Sequence, residues 1–73
     1  MTYWFVYQKN HSGGGSRIGL TADGPEYTSR FGAEMRFANN ISAEIFRDYA
    51  ERLLTPLEGQ VGKLTVECDS HAH

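Results

Sequence analysis

The stretch Ile41-Ser42-Ala43-Glu44-Ile45-Phe46-Arg47-Asp48-Tyr49-Ala50-Glu51-Arg52-Leu53-Leu54 decides the fold. Ile41, Ile45, Phe46, Tyr49, Leu53 and Leu54 recur at helical spacing and predict one apolar stripe along an α-helix. Ser42 is the expected N-cap, because its oxygen can accept an orphan backbone N–H. Ile41 before it and Phe46 four residues after it form a candidate hydrophobic staple. Glu44 is expected in the first turn, where the helix dipole favours an anion. Asp48 and Arg52 form an i,i+4 pair in the favourable order. Pro56 lacks an N–H and is expected to stop the helix near Leu54 or Thr55.

An amphipathic helix must bury its stripe against a second layer. Upstream, Thr2 to Lys9 is aromatic and β-rich and reads as a strand. Alternation places Tyr3, Phe5 and Tyr7 on one face and Trp4, Val6 and Gln8 on the other. Large apolar groups on both faces predict a central strand. The glycine-rich stretch from Asn10 to Ser16 reads as a loop. Arg17 to Ala22 reads as a second strand, paired with the first as an antiparallel hairpin and ended by Asp23-Gly24-Pro25. Two readings of Glu26 to Phe37 stay open. In one, Glu26-Tyr27-Thr28 is a short strand, Thr28 or Ser29 caps a helical turn through Glu34, and Met35-Arg36-Phe37 returns to the sheet. In the other, Arg30 to Phe37 is a single strand.

Downstream, Gly62 to Asp69 reads as the last strand, with Leu64, Val66 and Cys68 on one face and Lys63, Thr65, Glu67 and Asp69 on the other. Such alternation predicts a sheet with one wet face. The expected fold is α+β: a mainly antiparallel sheet of three or four strands with one helix on one face. Ile45, Phe46, Tyr49 and Leu53 are expected to pack on Ile18, Leu20, Leu64 and Val66. Residues 1–69 are expected to form one domain and 70–73 a loose tail.

The whole chain has 73 residues and a formal net charge of −2. A domain this short buries only about 60 % of its unfolded surface, so its core is marginal. Self-association is one way to enlarge it, and both monomer and homodimer are compatible with the sequence. The single Cys68 excludes an internal disulfide. With no basic leader and no apolar run of about 18 residues, the reading is a soluble cytoplasmic domain that does not enter a membrane.

The charge is uneven. Residues 1–36 carry four basic and three acidic side chains, whereas residues 37–73 carry three basic and six acidic ones. A net negative chain is a poor general nucleic-acid binder, because such binders displace counterions with excess Lys and Arg. No spacing places a nucleophile beside an oriented base, so the expectation is a non-enzymatic protein without a cofactor. Cys68, His71 and His73 have metal-compatible types, but a structural zinc site needs a fourth ligand, which only His11 is placed to supply.

The candidate partner-binding residues are Tyr3, Phe5, Tyr7 and Arg17 around strand one, and Glu44, Asp48 and Glu51 on the helix. Exposed aromatics are effective interface anchors, and an acidic helix side suits a basic surface on a partner protein. The rival reading of the rings is that the glycine loop and the Glu26–Phe37 segment wrap round and cover them. Alternative functions are a single-stranded nucleic-acid module using Tyr3, Phe5, Tyr7, Arg17 and Arg36, and a self-assembling structural subunit.

Leu20-Thr21-Ala22-Asp23-Gly24, then Met35-Arg36-Phe37, then Ser42-Ala43-Glu44 resemble small accessory proteins of bacteriophages and mobile elements. In those, a strand ending in an Asp-Gly turn leads to an Arg-Phe pair and a helix opening Ser-x-Glu. Glu34 stands where they usually carry alanine, and the aromatic after the turn is displaced to Tyr27. The resemblance implies a phage-encoded inhibitor of host defence, as anti-CRISPR proteins are. Such a protein occupies the surface of a nuclease or surveillance complex in the bacterial cytoplasm.

Overall fold

A computed structural model describes residues 2–9, 15–30, 32–54 and 63–70. Its elements are β1 (Thr2–Lys9), β2 (Gly15–Thr21), β3 (Gly24–Thr28), α1 (Asn40–Leu53) and β4 (Thr65–Ser70). The strands form one antiparallel sheet in the order β3-β2-β1-β4, with α1 on one face. This is the predicted α+β architecture, and β1 lies inside the sheet as its two apolar faces require. Glu26-Tyr27-Thr28 belongs to the edge strand β3. Ser70 belongs to β4, opposite Thr2, and not to a tail.

The β2–β3 hairpin closes through Ala22 and Asp23. Gly24 takes φ 120°, a region that side chains disfavour and that glycine enters freely. The Thr21 hydroxyl donates to the Gly24 carbonyl at 3.0 Å and accepts the Asp23 N–H at 3.2 Å, which pins the turn.

Strands β1 and β2 pair only from Tyr7↔Arg17 to Lys9↔Gly15. Beyond that they part, and the segment before α1 fills the gap. The Met35 N–H donates to the Ile18 carbonyl at 3.0 Å, and Trp4 and Phe37 exchange two backbone hydrogen bonds of 2.9 Å. These bonds take up the Trp4 N–H and carbonyl and the Ile18 carbonyl, which the parted strands leave open. Met35-Arg36-Phe37 does return to the sheet. The helical turn expected ahead of it is replaced by a turn in which the Ala33 N–H meets the Arg30 carbonyl at 3.2 Å.

The core joins Val6, Ile18, Phe46, Ala50 and Leu64, with Tyr27, Met35, Phe37, Leu54 and Val66 partly buried around them. Burying each large apolar side chain contributes about 1.5–3 kcal/mol, so a core this small leaves little margin.

The helix departs from expectation in its start and in its facing. Asn39, not Ser42, is the N-cap; its side chain accepts the Ser42 N–H at 2.8 Å. The helix therefore begins earlier, Ile41 and Phe46 do not form the expected staple, and no acidic residue lies in the first turn. The residues it buries are Ala43, Phe46 and Ala50. Ile45, Tyr49 and Leu53 lie outside the core: they are 66 %, 42 % and 59 % exposed, as Ile41 is at 67 % and Leu20 at 48 %; Tyr49 reaches only the edge strand, with its hydroxyl beside Gly24. At about 100° per residue, the buried stripe lies roughly a quarter-turn from the stripe the large apolar residues define. The small side chains of Ala43 and Ala50 let the helix backbone approach the sheet, and Phe46 fills the space between them.

Candidate interaction surfaces

Strand alternation sends Tyr3, Phe5 and Tyr7 to the face away from α1. Their rings form a row, with centroids 5.9 Å apart between Tyr3 and Phe5 and 6.3 Å apart between Phe5 and Tyr7. The row is largely roofed by cations. The Arg17 guanidinium lies 4.3 Å from the Phe5 centroid, and that of Arg36 lies 4.3 Å from the Tyr3 centroid. Phe5 is only 6 % exposed. Gly15 lies so close to Tyr7 that a β-carbon there would come within 2.6 Å of its ring.

Glu34 anchors both cations. Its Oε2 accepts from Arg17 Nη1 at 2.9 Å and from Arg36 Nε at 3.1 Å, and its side chain has no exposed surface. The Tyr3 hydroxyl lies 3.1 Å from the same oxygen and 2.9 Å from Asp69 Oδ2. It has one proton, so it donates to one of the two carboxylates at a time. Burial alone would raise the Glu34 carboxyl. Its own backbone N–H, the Tyr3 hydroxyl and the charges of Arg17 and Arg36 outweigh burial and hold it below the ordinary value of 4.5. Burial, and then the hydrogen bond to Asp69, raise the Tyr3 phenol above 10.0.

Arg36 of the returning segment covers Tyr3 and Arg17 of β2 covers Phe5, so Phe5 is buried while Tyr3 and Tyr7 stay half-buried and both arginine side chains keep exposed surface. A base could stack on Phe5 or Tyr3 only by displacing a guanidinium. Sequence reasoning missed Glu34, although an acidic residue two positions before Arg36 on an alternating segment was the available signal.

The other candidate residues lie on α1, across the sheet from the aromatic row. Glu44, Asp48 and Glu51 are exposed. Asp48 accepts from Arg47 Nη2 at 3.0 Å in place of the expected bond from Arg52, and Glu44 accepts from Asn40 Nδ2 at 3.3 Å. Exposed pairs of this kind contribute little stability. The seven predicted residues thus occupy two faces of the domain and cannot form one continuous site.

Beside the acidic side, α1 presents the uncovered apolar flank Ile41, Ile45, Tyr49 and Leu53. At its foot Phe37, Ser42, Ile45, Phe46 and Tyr49 line a groove of about 420 Å³. Four neighbouring large apolar side chains at these exposures are a patch of the kind that marks a contact surface.

Cys68 is exposed, while the metal-compatible residues weighed beside it, His11, His71 and His73, lie outside the described residues. Among the described residues no group of three or more His, Cys, Asp or Glu side chains could hold a metal. No helix among them is long and apolar enough to cross a membrane.

The fold and its surfaces define a small α+β domain with an aromatic–arginine cluster on one sheet face and one helix whose apolar flank is exposed. Compared with protein-family models, curated proteins and solved structures, the chain shows no significant match to any.

Proposed function

We propose that this chain is a non-enzymatic protein-binding domain that acts by stoichiometric docking of α1. The supporting observation is the row Ile41, Ile45, Tyr49 and Leu53, left 42–67 % exposed on a domain with a small core. Apolar side chains at i, i+4, i+8 and i+12 suit the helix-in-groove mode, in which one helix face supplies successive anchors.

The partner class we propose is a bacterial nucleic-acid-targeting complex, a nuclease or surveillance complex, inhibited by occupation of its surface. The resemblance of Leu20–Gly24, Met35–Phe37 and Ser42–Glu44 to phage accessory proteins supports this class. So does the acidic side of α1, where Glu44, Asp48 and Glu51 complement a basic nucleic-acid channel. On this reading the protein works in the host cytoplasm.

The test is capture of purified bacterial nuclease and surveillance complexes on the immobilised chain. Ile45→Glu is expected to lower affinity by at least about tenfold, or 1.4 kcal/mol. Asp48→Lys with Glu51→Lys is expected to slow association, since rim charges act mainly on encounter. Retention unchanged by Ile45→Glu would remove the flank from the interface.

A further inference from the structure

We propose that Glu34 is a positioning residue for the groove at the foot of α1, acting through the segment that ends in Phe37. The inference rests on reading α1 as the docking helix, and it names a residue across the sheet that shapes the surface a partner meets.

From Ala33 to Phe37 the chain runs through the gap between β1 and β2 and presents its side chains to both faces of the sheet in turn. Glu34 and Arg36 turn to the aromatic face, where they meet Arg17 and Tyr3. Met35 and Phe37 turn to the other face, where they pack against the core. The centroid of the Phe37 ring lies 5.4 Å from that of Phe46, and both rings line the groove of about 420 Å³ with Ser42, Ile45 and Tyr49.

The backbone of this segment reaches β2 through Met35 and β1 through Phe37. Glu34 adds a side-chain tie to each of the same strands. Its Oε2 lies 2.9 Å from Arg17 Nη1 on β2 and 3.1 Å from the Tyr3 hydroxyl on β1. One carboxylate thus joins the two strands that the segment holds apart. Its side chain is wholly buried, so water does not stand in for a lost partner. An amide in its place keeps the shape and loses the charge, and charge-assisted hydrogen bonds are roughly twice as strong as neutral ones. With the tie weakened, the segment shifts within the gap and carries the Phe37 ring with it. The groove changes shape although nothing on α1 has been altered.

The test is nuclear magnetic resonance of the folded full chain, wild type against Glu34→Gln. Amide exchange at Trp4, Met35 and Phe37 is expected to quicken at least about tenfold more than exchange in the β2–β3 ladder. The Phe37 ring and Ile45 methyl resonances are expected to move. Glu67→Gln removes an exposed carboxylate from the same sheet face, opposite Phe5, and is expected to move none of them. A Glu34 that only stabilises the fold would lower the urea midpoint and quicken all these amides alike, with the Phe37 and Ile45 resonances of folded molecules in place. That result overturns the proposal, as does an equal response to Glu67→Gln.

Tyr3→Phe deletes one hydroxyl and keeps the ring. It is the milder form of the same cut, is expected to move the same resonances by less, and decides the question if Glu34→Gln does not fold. A Phe37 ring that stays in place in it would then overturn the proposal. These measurements need no partner, so their failure is separable from that of the docking reading. A groove that follows Glu34, in a chain whose capture of bacterial complexes ignores Ile45→Glu, overturns the docking reading alone.

Discussion

The guanidinium of Arg17 lies 4.3 Å from the centroid of the Phe5 ring while its Nη1 donates to Glu34 Oε2 at 2.9 Å. One side chain therefore shields an aromatic that would otherwise meet water and neutralises a buried carboxylate. Arg17→Ala removes both contacts. We expect a loss of about 1–2 kcal/mol, kept modest because a third of the arginine is solvated. Arg17→Lys should recover part of the charge effect but not the planar cover. Urea unfolding distinguishes the two, and equal stability of Arg17→Ala and wild type would mean that the cluster is energetically idle.

We expect Glu34 to make the fold acid-sensitive. Its folded-state pKa is lowered, so its contribution is fully present above the unfolded value of about 4.5 and is lost as pH falls through the lower folded value. Glu34→Gln should be less stable at neutral pH by about 1–3 kcal/mol, since both guanidiniums lose their counterion. Its stability should also fall less steeply than wild type between pH 5 and the folded pKa. Parallel urea midpoints across that window would remove Glu34 as the titrating group.

Gly19 is required by contact and not by backbone angle. A β-carbon there would come within 2.6 Å of the Ala33 carbonyl oxygen, at the point where the returning segment wedges between β1 and β2. Gly19→Ala is expected to destabilise the domain by about 1–3 kcal/mol, because backbone cannot yield as a flexible side chain can. A neutral substitution would show that the wedge relaxes freely. Gly32, with φ 84° but open space around it, provides the contrast: Gly32→Ala should fail through backbone strain alone.

Asn39 carries the start of α1. Removing its side-chain bond to the Ser42 N–H by Asn39→Ala should cost about 1 kcal/mol. Ser42→Ala should cost less, because Ser42 supplies only its backbone N–H to the cap. The reverse order of thermal midpoints would place the cap at Ser42 after all.

Much of the fold was legible in local pattern. Strand alternation placed β1 at Thr2–Lys9 and the 3.6-residue period announced α1, while the turn read at Asp23-Gly24-Pro25 falls one residue earlier, at Ala22-Asp23, with Gly24 and Pro25 in β3. What misled was the weight given to size. Ile45, Tyr49 and Leu53 outweigh Ala43 and Ala50 in any count of apolar bulk, yet the alanines face the sheet, with Phe46 between them packed against Phe37. Glu34 was missed for a related reason: Arg36 stands two residues away, but a carboxylate is read as surface until Arg17 and Tyr3 are brought to it from distant parts of the chain.

The order of elements, their periods and their turns were determined by the chain's own alternation and breakers, which are local properties. Which helix stripe turned inward, and whether the aromatic row stayed open, was decided only when the layers met. Both outcomes depend on how much volume and charge the opposing surface already holds, and no single segment carries that information.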